Sequence, residues 1–264
     1  MAGFWRPERR NRNIGASHSG YSKSNDMRIP ESWWDESVYY ERLGSPKKHD
    51  VVIGDSEITI LYQTPKEGFT YGCTPEDVIK FLTAANAFAP CLPDIIAFRQ
   101  PTRKQIQQKG VWGRFVYFAE FGKHEGSAII LEAQGLRDKL LWSKRMSLDS
   151  RAEFNRLVAD GHVFEEDKRH YHALLTETNI RNTLLYRTLP HELGHLAHYH
   201  QDVLNKATSL GEDFATSEDL YFSKPSSERE VFAHAFATKL GQQLRASGEI
   251  PFEPVSSTTS TNDD

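Results

Sequence analysis

The chain has 264 residues, 26% of them charged and 38% hydrophobic, with a formal net charge of -4 and a pI near 6.3. That length holds one sizeable domain with a substantial core, and that composition belongs to ordinary globular proteins rather than disordered ones. A mildly acidic balance excludes a general electrostatic pull toward nucleic acid or acidic lipid, and no apolar run approaches the roughly 18 residues of a membrane span.

The first residues contain no apolar stretch of signal-peptide length, so the expectation is a soluble, cytoplasmic protein. Residues 1–48 are rich in Arg, Asn, Ser, Gly and Lys with isolated apolar anchors, which predicts a flexible N-terminal arm. Within it, Ser32-Trp33-Trp34 and Val38-Tyr39-Tyr40 are read as a short docked helix or as partner contacts. Residues 49–250 are expected to form a single catalytic domain, and residues 251–264 a disordered tail.

Val51 to Ile53 and Glu57 to Tyr62 are β-branched runs separated by Gly54-Asp55, which predicts a strand pair with a tight turn. Thr74-Pro75-Glu76-Asp77 has the form of a capped helix start with proline at the first helical position. Val78, Phe81, Leu82, Ala85 and Phe88 then lie on one stripe, as a helix lying on a sheet requires. Three more strands are predicted at 94–98, 111–121 and 127–133. Arg99, Arg103, Lys104, Lys109 and Arg114 are interrupted by no acidic residue and are read as a solvated loop, with phosphate contact as the rival. Cys73 and Cys91 are too few for a disulfide framework or a CxxC metal site and are expected to be reduced thiols.

Further on, 150–159 reads as a helix and 163–171 as a loop. Thr178 is a candidate cap for a helix whose apolar stripe runs through Leu185, Leu189, Leu193 and Leu196. That helix carries His191-Glu192-Leu193-Gly194-His195. Histidines four apart project from one helical face and can close on one metal ion, while Glu192 beside them is placed to take a proton from water at that metal. Pro190 predicts a kink or a fresh helix start just before the motif. Gly194 leaves no side chain between the histidines, which allows another element to come close.

Two histidines do not complete a catalytic zinc site, which usually takes three protein ligands. An all-histidine pattern extended in the metzincin manner would need a glycine three residues after the second histidine and a third histidine three residues beyond that. The chain has His198 and Gln201 at those places. After a predicted loop over 211–225, Ser226-Ser227 opens a helix to about Leu244 with Ala233, Phe236, Ala237, Leu240 and Leu244 as its stripe. Glu230 on its small-residue face is the candidate third ligand. Its rival role is in a capping box, bonding the Ser227 N–H. His234, one turn later, is read as a cleft residue or an alternative ligand, and Glu212, Asp213, Glu218 and Asp219 are weaker rivals.

His191-Glu-Leu-Gly-His195 followed by Glu230-Val-Phe-Ala-His-Ala-Phe-Ala237 resembles the gluzincin metallopeptidases, especially the lethal-factor type and the repressor-cleaving peptidases of phage and mobile elements. The resemblance spans residues 178–245. It implies one zinc ion per chain on His191, His195 and Glu230, with Glu192 as general base. Lethal-factor-like enzymes carry an acid where this chain has His234 and a tyrosine where it has Ser223, leaving Tyr221 as the nearest substitute. The fold expected is α+β and zincin-like, a mixed or antiparallel sheet followed by a helical active-site half. The function expected is zinc-dependent hydrolysis of a protein or peptide paired with an edge strand, with Tyr221 or His234 at the oxyanion. The rival is a zinc-stabilised module that binds nucleic acid through residues 99–114.

Overall fold

A computed structural model describes residues 39–102, 105–106, 111–209, 211 and 213–255. The predicted contacts of Trp33, Trp34 and Val38, the basic residues Arg103, Lys104 and Lys109, and Glu212 lie outside these residues.

The fold is mixed α+β, with a five-stranded mixed sheet first and most of the helices in the C-terminal half. Strands β1 (Lys47–Ile53) and β2 (Ser56–Tyr62) form an antiparallel hairpin in which Ile53 faces Ser56. Its two-residue turn needs positive φ, which Gly54 supplies at +59°. After β3 (Phe69–Thr70), helix α1 (Pro75–Ala85) begins as expected. Thr74 and Asp77 cap each other's backbone, and proline stands in the first turn.

Strands β4 (Ile95–Arg99), β5 (Gly113–Phe121) and β6 (His124–Glu132) complete the sheet in the order β1-β2-β4-β6-β5. β2, β4 and β6 run parallel, and among the described residues the antiparallel strands β1 and β5 form its two edges. Period-two alternation divides the side chains: Ile96, Phe98, Ile129 and Leu131 join the main core, while Ile95, Ala97, Ala128 and Ile130 join a smaller one on the other face. Tyr40, from the short helical turn Tyr39–Glu41, is buried in that second core. The folded body therefore starts before residue 49.

A second, three-stranded sheet follows β7 (Gln134–Gly135). It consists of β8 (Lys139–Ser143), β9 (Glu165–Glu166) and β10 (His170–Leu174), with helix α2 (Leu148–Ala159) between β8 and β9. The loop expected over 163–171 is thus partly strand. Its mixed charges hide a ladder whose apolar contribution comes from Phe154, Phe164 and Tyr171 stacked together.

Helix α3 (Glu177–Thr183) is capped by Thr176 rather than Thr178, with Asn179 closing a capping box. It runs into a π-helical turn, Leu184–Thr188, and then into helix α4 (Leu189–Tyr199). Pro190 sits in the first turn of α4, directly after the π turn, in which the Leu189 N–H donates to the Leu184 carbonyl. A second π turn, His200–Leu204, leads to α5 (Asn205–Ser209).

The loop expected over 211–225 is largely helix α6 (Phe214–Ser223), capped by Asp213. Aromatic packing drives it: Tyr221 and Phe222 bury against Tyr199 at the end of α4 and Val203 in the second π turn, with Tyr117 and Phe118 of β5 alongside. Helix α7 (Ser226–Ala246) buries Ala233, Leu240 and Leu244. Ile250 and Phe252 then pack on the main core, and the Val255 N–H donates to Asp77, which also takes a bidentate pair from Arg181 at 2.6 and 2.9 Å. The tail expected from residue 251 thus begins as a docked segment as far as Val255. No helix among the described residues is long and apolar enough to cross a membrane.

Candidate metal centre

Every residue of α4 except His191 is buried, because the helix lies between the sheet edge and α7. Gly194 makes the α4–α7 crossing possible. A Cβ there would stand 2.7 Å from the Cα of Ala233 and 2.8 Å from its carbonyl oxygen, so two backbones touch where side chains normally intervene. Gly194→Val is expected to force the helices apart, at a cost of roughly 2–4 kcal/mol from overpacking, read as a lowered urea midpoint. A variant as stable as the parent would show that the crossing is loose.

The close crossing brings Glu230, in the second turn of α7, over the two histidines. Its carboxylate oxygens lie 3.3 Å from His191 Nε2 and 3.5 Å from His195 Nε2. Candidate donor atoms from His191, His195 and Glu230 all fall within 4.8 Å of one another. Ligands about 2.0–2.1 Å from a tetrahedral zinc stand about 3.3–3.4 Å apart, close to the two histidine–Glu230 separations, and the third pair of donors lies within 4.8 Å. Two imidazoles and one carboxylate are also a donor set found in catalytic zinc sites. The residues therefore fit the group that the sequence implies.

Protonation follows the same geometry. A hydrogen bond from His191 holds the Glu230 carboxyl down to about 2, and burial pushes His195 down to about 4, so Glu230 is a carboxylate and His195 a neutral imidazole at neutral pH. Burial opposes charge on His191, but its bond to Glu230 and the nearby Glu192 carboxylate raise its pKa. Glu192 is not a member of the triad. Burial pushes its carboxyl up to about 7, against the charge on His191 and a hydrogen bond from the Phe115 backbone. A carboxyl poised there suits proton transfer at neutral pH.

The rival assignments separate cleanly. Ser227 is not the cap of α7, which starts at Ser226 after Pro225 with no side-chain cap bond, so Glu230 faces the histidines instead of its own backbone. Asp213 caps α6, and Glu218 is buried accepting a bond from the Tyr199 hydroxyl at 2.8 Å. Tyr221 is also buried, its hydroxyl 2.9 Å from that of Tyr117. It is absent from the lining of both parts of the cleft. His234 does line the cleft, its ring centroid 4.4 Å from that of His191.

The triad lies where two hollows meet. One, of about 1090 Å³, extends past His234 and Trp112; the other, of about 390 Å³, extends past Arg114 and Tyr117. His191, Glu192, Glu230 and Gly113 line both, so the cleft passes across the triad alongside edge strand β5. Tyr117, Trp112 and Trp142 escaped the sequence reading as cleft residues. In the sequence they look like ordinary strand aromatics, and nothing in their spacing marks them.

No family model, curated protein or solved structure matches the chain.

Two members of the basic stretch turn inward. Arg99 is buried and donates to both oxygens of Glu132 at 2.8 Å, and Arg114 also reaches Glu132 at 3.3 Å. Their charges serve a buried ion pair beside the sheet edge.

Proposed function

We propose that the chain is a zinc-dependent metallopeptidase with a zincin-like active-site half, hydrolysing a polypeptide substrate. The observation that carries this reading is the His191–His195–Glu230 triad, with buried Glu192 next to it on the same helix. A bound zinc supplies Lewis acidity, polarising a carbonyl and lowering the pKa of water toward ~7.

The chain's own residues do the rest. Glu192 accepts a proton from the attacking water as its oxygen bonds to the scissile carbonyl carbon. As the C–N bond breaks, Glu192 returns that proton to the leaving amine, so protons balance over the cycle. His234 lines the cleft beside His191 and is the group we assign to substrate contact. Among the described residues β5 is an edge strand beside the cleft; its Phe115 and Glu120 N–H groups are taken by Glu192 and Glu41, and an extended substrate would pair with the backbone between them.

The rival reading, nucleic-acid binding through residues 99–114, loses support because Arg99 and Arg114 are engaged by Glu132. Metal analysis of the purified full chain, combined with an unbiased peptide-cleavage profile, tests the proposal. Near-stoichiometric zinc and metal-dependent cleavage are expected. Full metal loading without cleavage of any peptide, together with salt-dependent nucleic-acid binding, would favour the rival.

A further inference from the structure

The larger hollow continues well beyond the triad, and part of its wall comes from the second sheet. Among the described residues β8 pairs on one side only, with β10, and its Leu140, Leu141 and Trp142 line the hollow. Trp112, just ahead of β5, lines it too. Leu141 is 66% exposed, a large apolar side chain left facing water.

The two tryptophans are fixed by one run of rings. Trp112 packs on His162 at 5.7 Å and His162 lies 6.5 Å from Phe164. Phe164 meets Phe154 at 4.4 Å, and Phe154 reaches Trp142 at 6.1 Å. The wall is therefore assembled before any ligand arrives, which lowers the ordering cost of binding. Charges lining the same hollow largely neutralise each other, Arg187 with Asp160 and Glu153, and Arg156 with Glu153. Selection on this wall falls to apolar burial rather than to charge.

We propose that this wall selects the substrate: an extended polypeptide segment runs its backbone along the unpaired edge of β8 and lays neighbouring apolar side chains on its two faces, one on Trp112 and Trp142 and the next on Leu141. The hollow's 1090 Å³ is room for several residues of chain, and it is continuous with the triad. The occupant rests on the peptidase reading of that triad. Burying a Phe-sized side chain is expected to favour such a segment roughly tenfold or more over a Ser counterpart.

The test uses the full chain carrying Glu192→Gln, so that a bound peptide is not cut. Fluorescence anisotropy compares a short fluorescein-labelled peptide bearing two adjacent Phe residues, one for each face of β8, with the same peptide bearing Ser. The Phe peptide is expected to bind roughly tenfold more tightly. Leu141→Ser and Trp142→Ala should each lower the difference severalfold, and Trp142→Phe should restore the part of the difference that Trp142→Ala loses. Val52→Ser, at an exposed apolar position on the far edge strand β1, should preserve it. Should Trp142→Ala fail to fold, the exposed Leu141→Ser decides alone. Equal affinity for the two peptides, or a preference that both wall variants leave unchanged, overturns the proposal. Wild-type cleavage is scored separately: a Phe preference without hydrolysis sinks the peptidase reading and leaves the wall standing, and hydrolysis without the preference does the reverse.

Discussion

Glu192→Gln is expected to keep its zinc while losing roughly a thousandfold or more of peptide hydrolysis. The substitution preserves shape, and the amide oxygen still accepts from the Phe115 N–H that holds the carboxylate against β5. The group lost is the one that can take and return a proton. Glu192 is absent from the triad, so metal content measured by atomic emission should match the parent. The effect should fall on kcat with KM little changed, because proton transfer is felt in the transition state rather than in binding. Turnover within tenfold of the parent would mean that another group is the base.

Glu230→Ala is the second large effect, and it should be read in metal rather than in rate. Removing one of three donors should lower zinc affinity by more than the roughly 10–100-fold that outer-shell changes cost. At a hundredfold excess over Kd a ligand adds about 2.7 kcal/mol of stability. In a domain of this size that is a rise of roughly 5–10 °C in Tm. The parent should show this rise on adding zinc, and Glu230→Ala should not. Glu228→Ala, exposed on the same helix, serves as the control and should respond as the parent does. An unchanged zinc response in Glu230→Ala would remove Glu230 from the ligand set.

These expectations differ in origin. Four-residue spacing on a helix is a local property, so His191, Glu192 and His195 could be placed on one helix from the sequence alone. The hairpin at Gly54 and the capped start of α1 were legible for the same reason, since turn and cap chemistry act within a few residues. The helix over 214–223 was not. Its cause is Tyr221 and Phe222 packing against Tyr199 and Tyr117, and neither neighbour is local in sequence. The second sheet was hidden in the same way, because its strands are short, charged and half exposed, and aromatic contacts with α2 hold them.

By itself the sequence determined that a helix would carry two histidines and a glutamate on adjoining faces, and that a later helix would offer Glu230 among small residues. Only the tertiary structure decided that Glu230 turns toward the histidines and away from a cap, that Tyr221 is committed to Tyr117, and that Trp112 and Trp142 share one wall of the cleft. The reason is distance along the chain: periodicity fixes what lies on one element, whereas the meeting of Gly194 with Ala233 is fixed by how two elements cross.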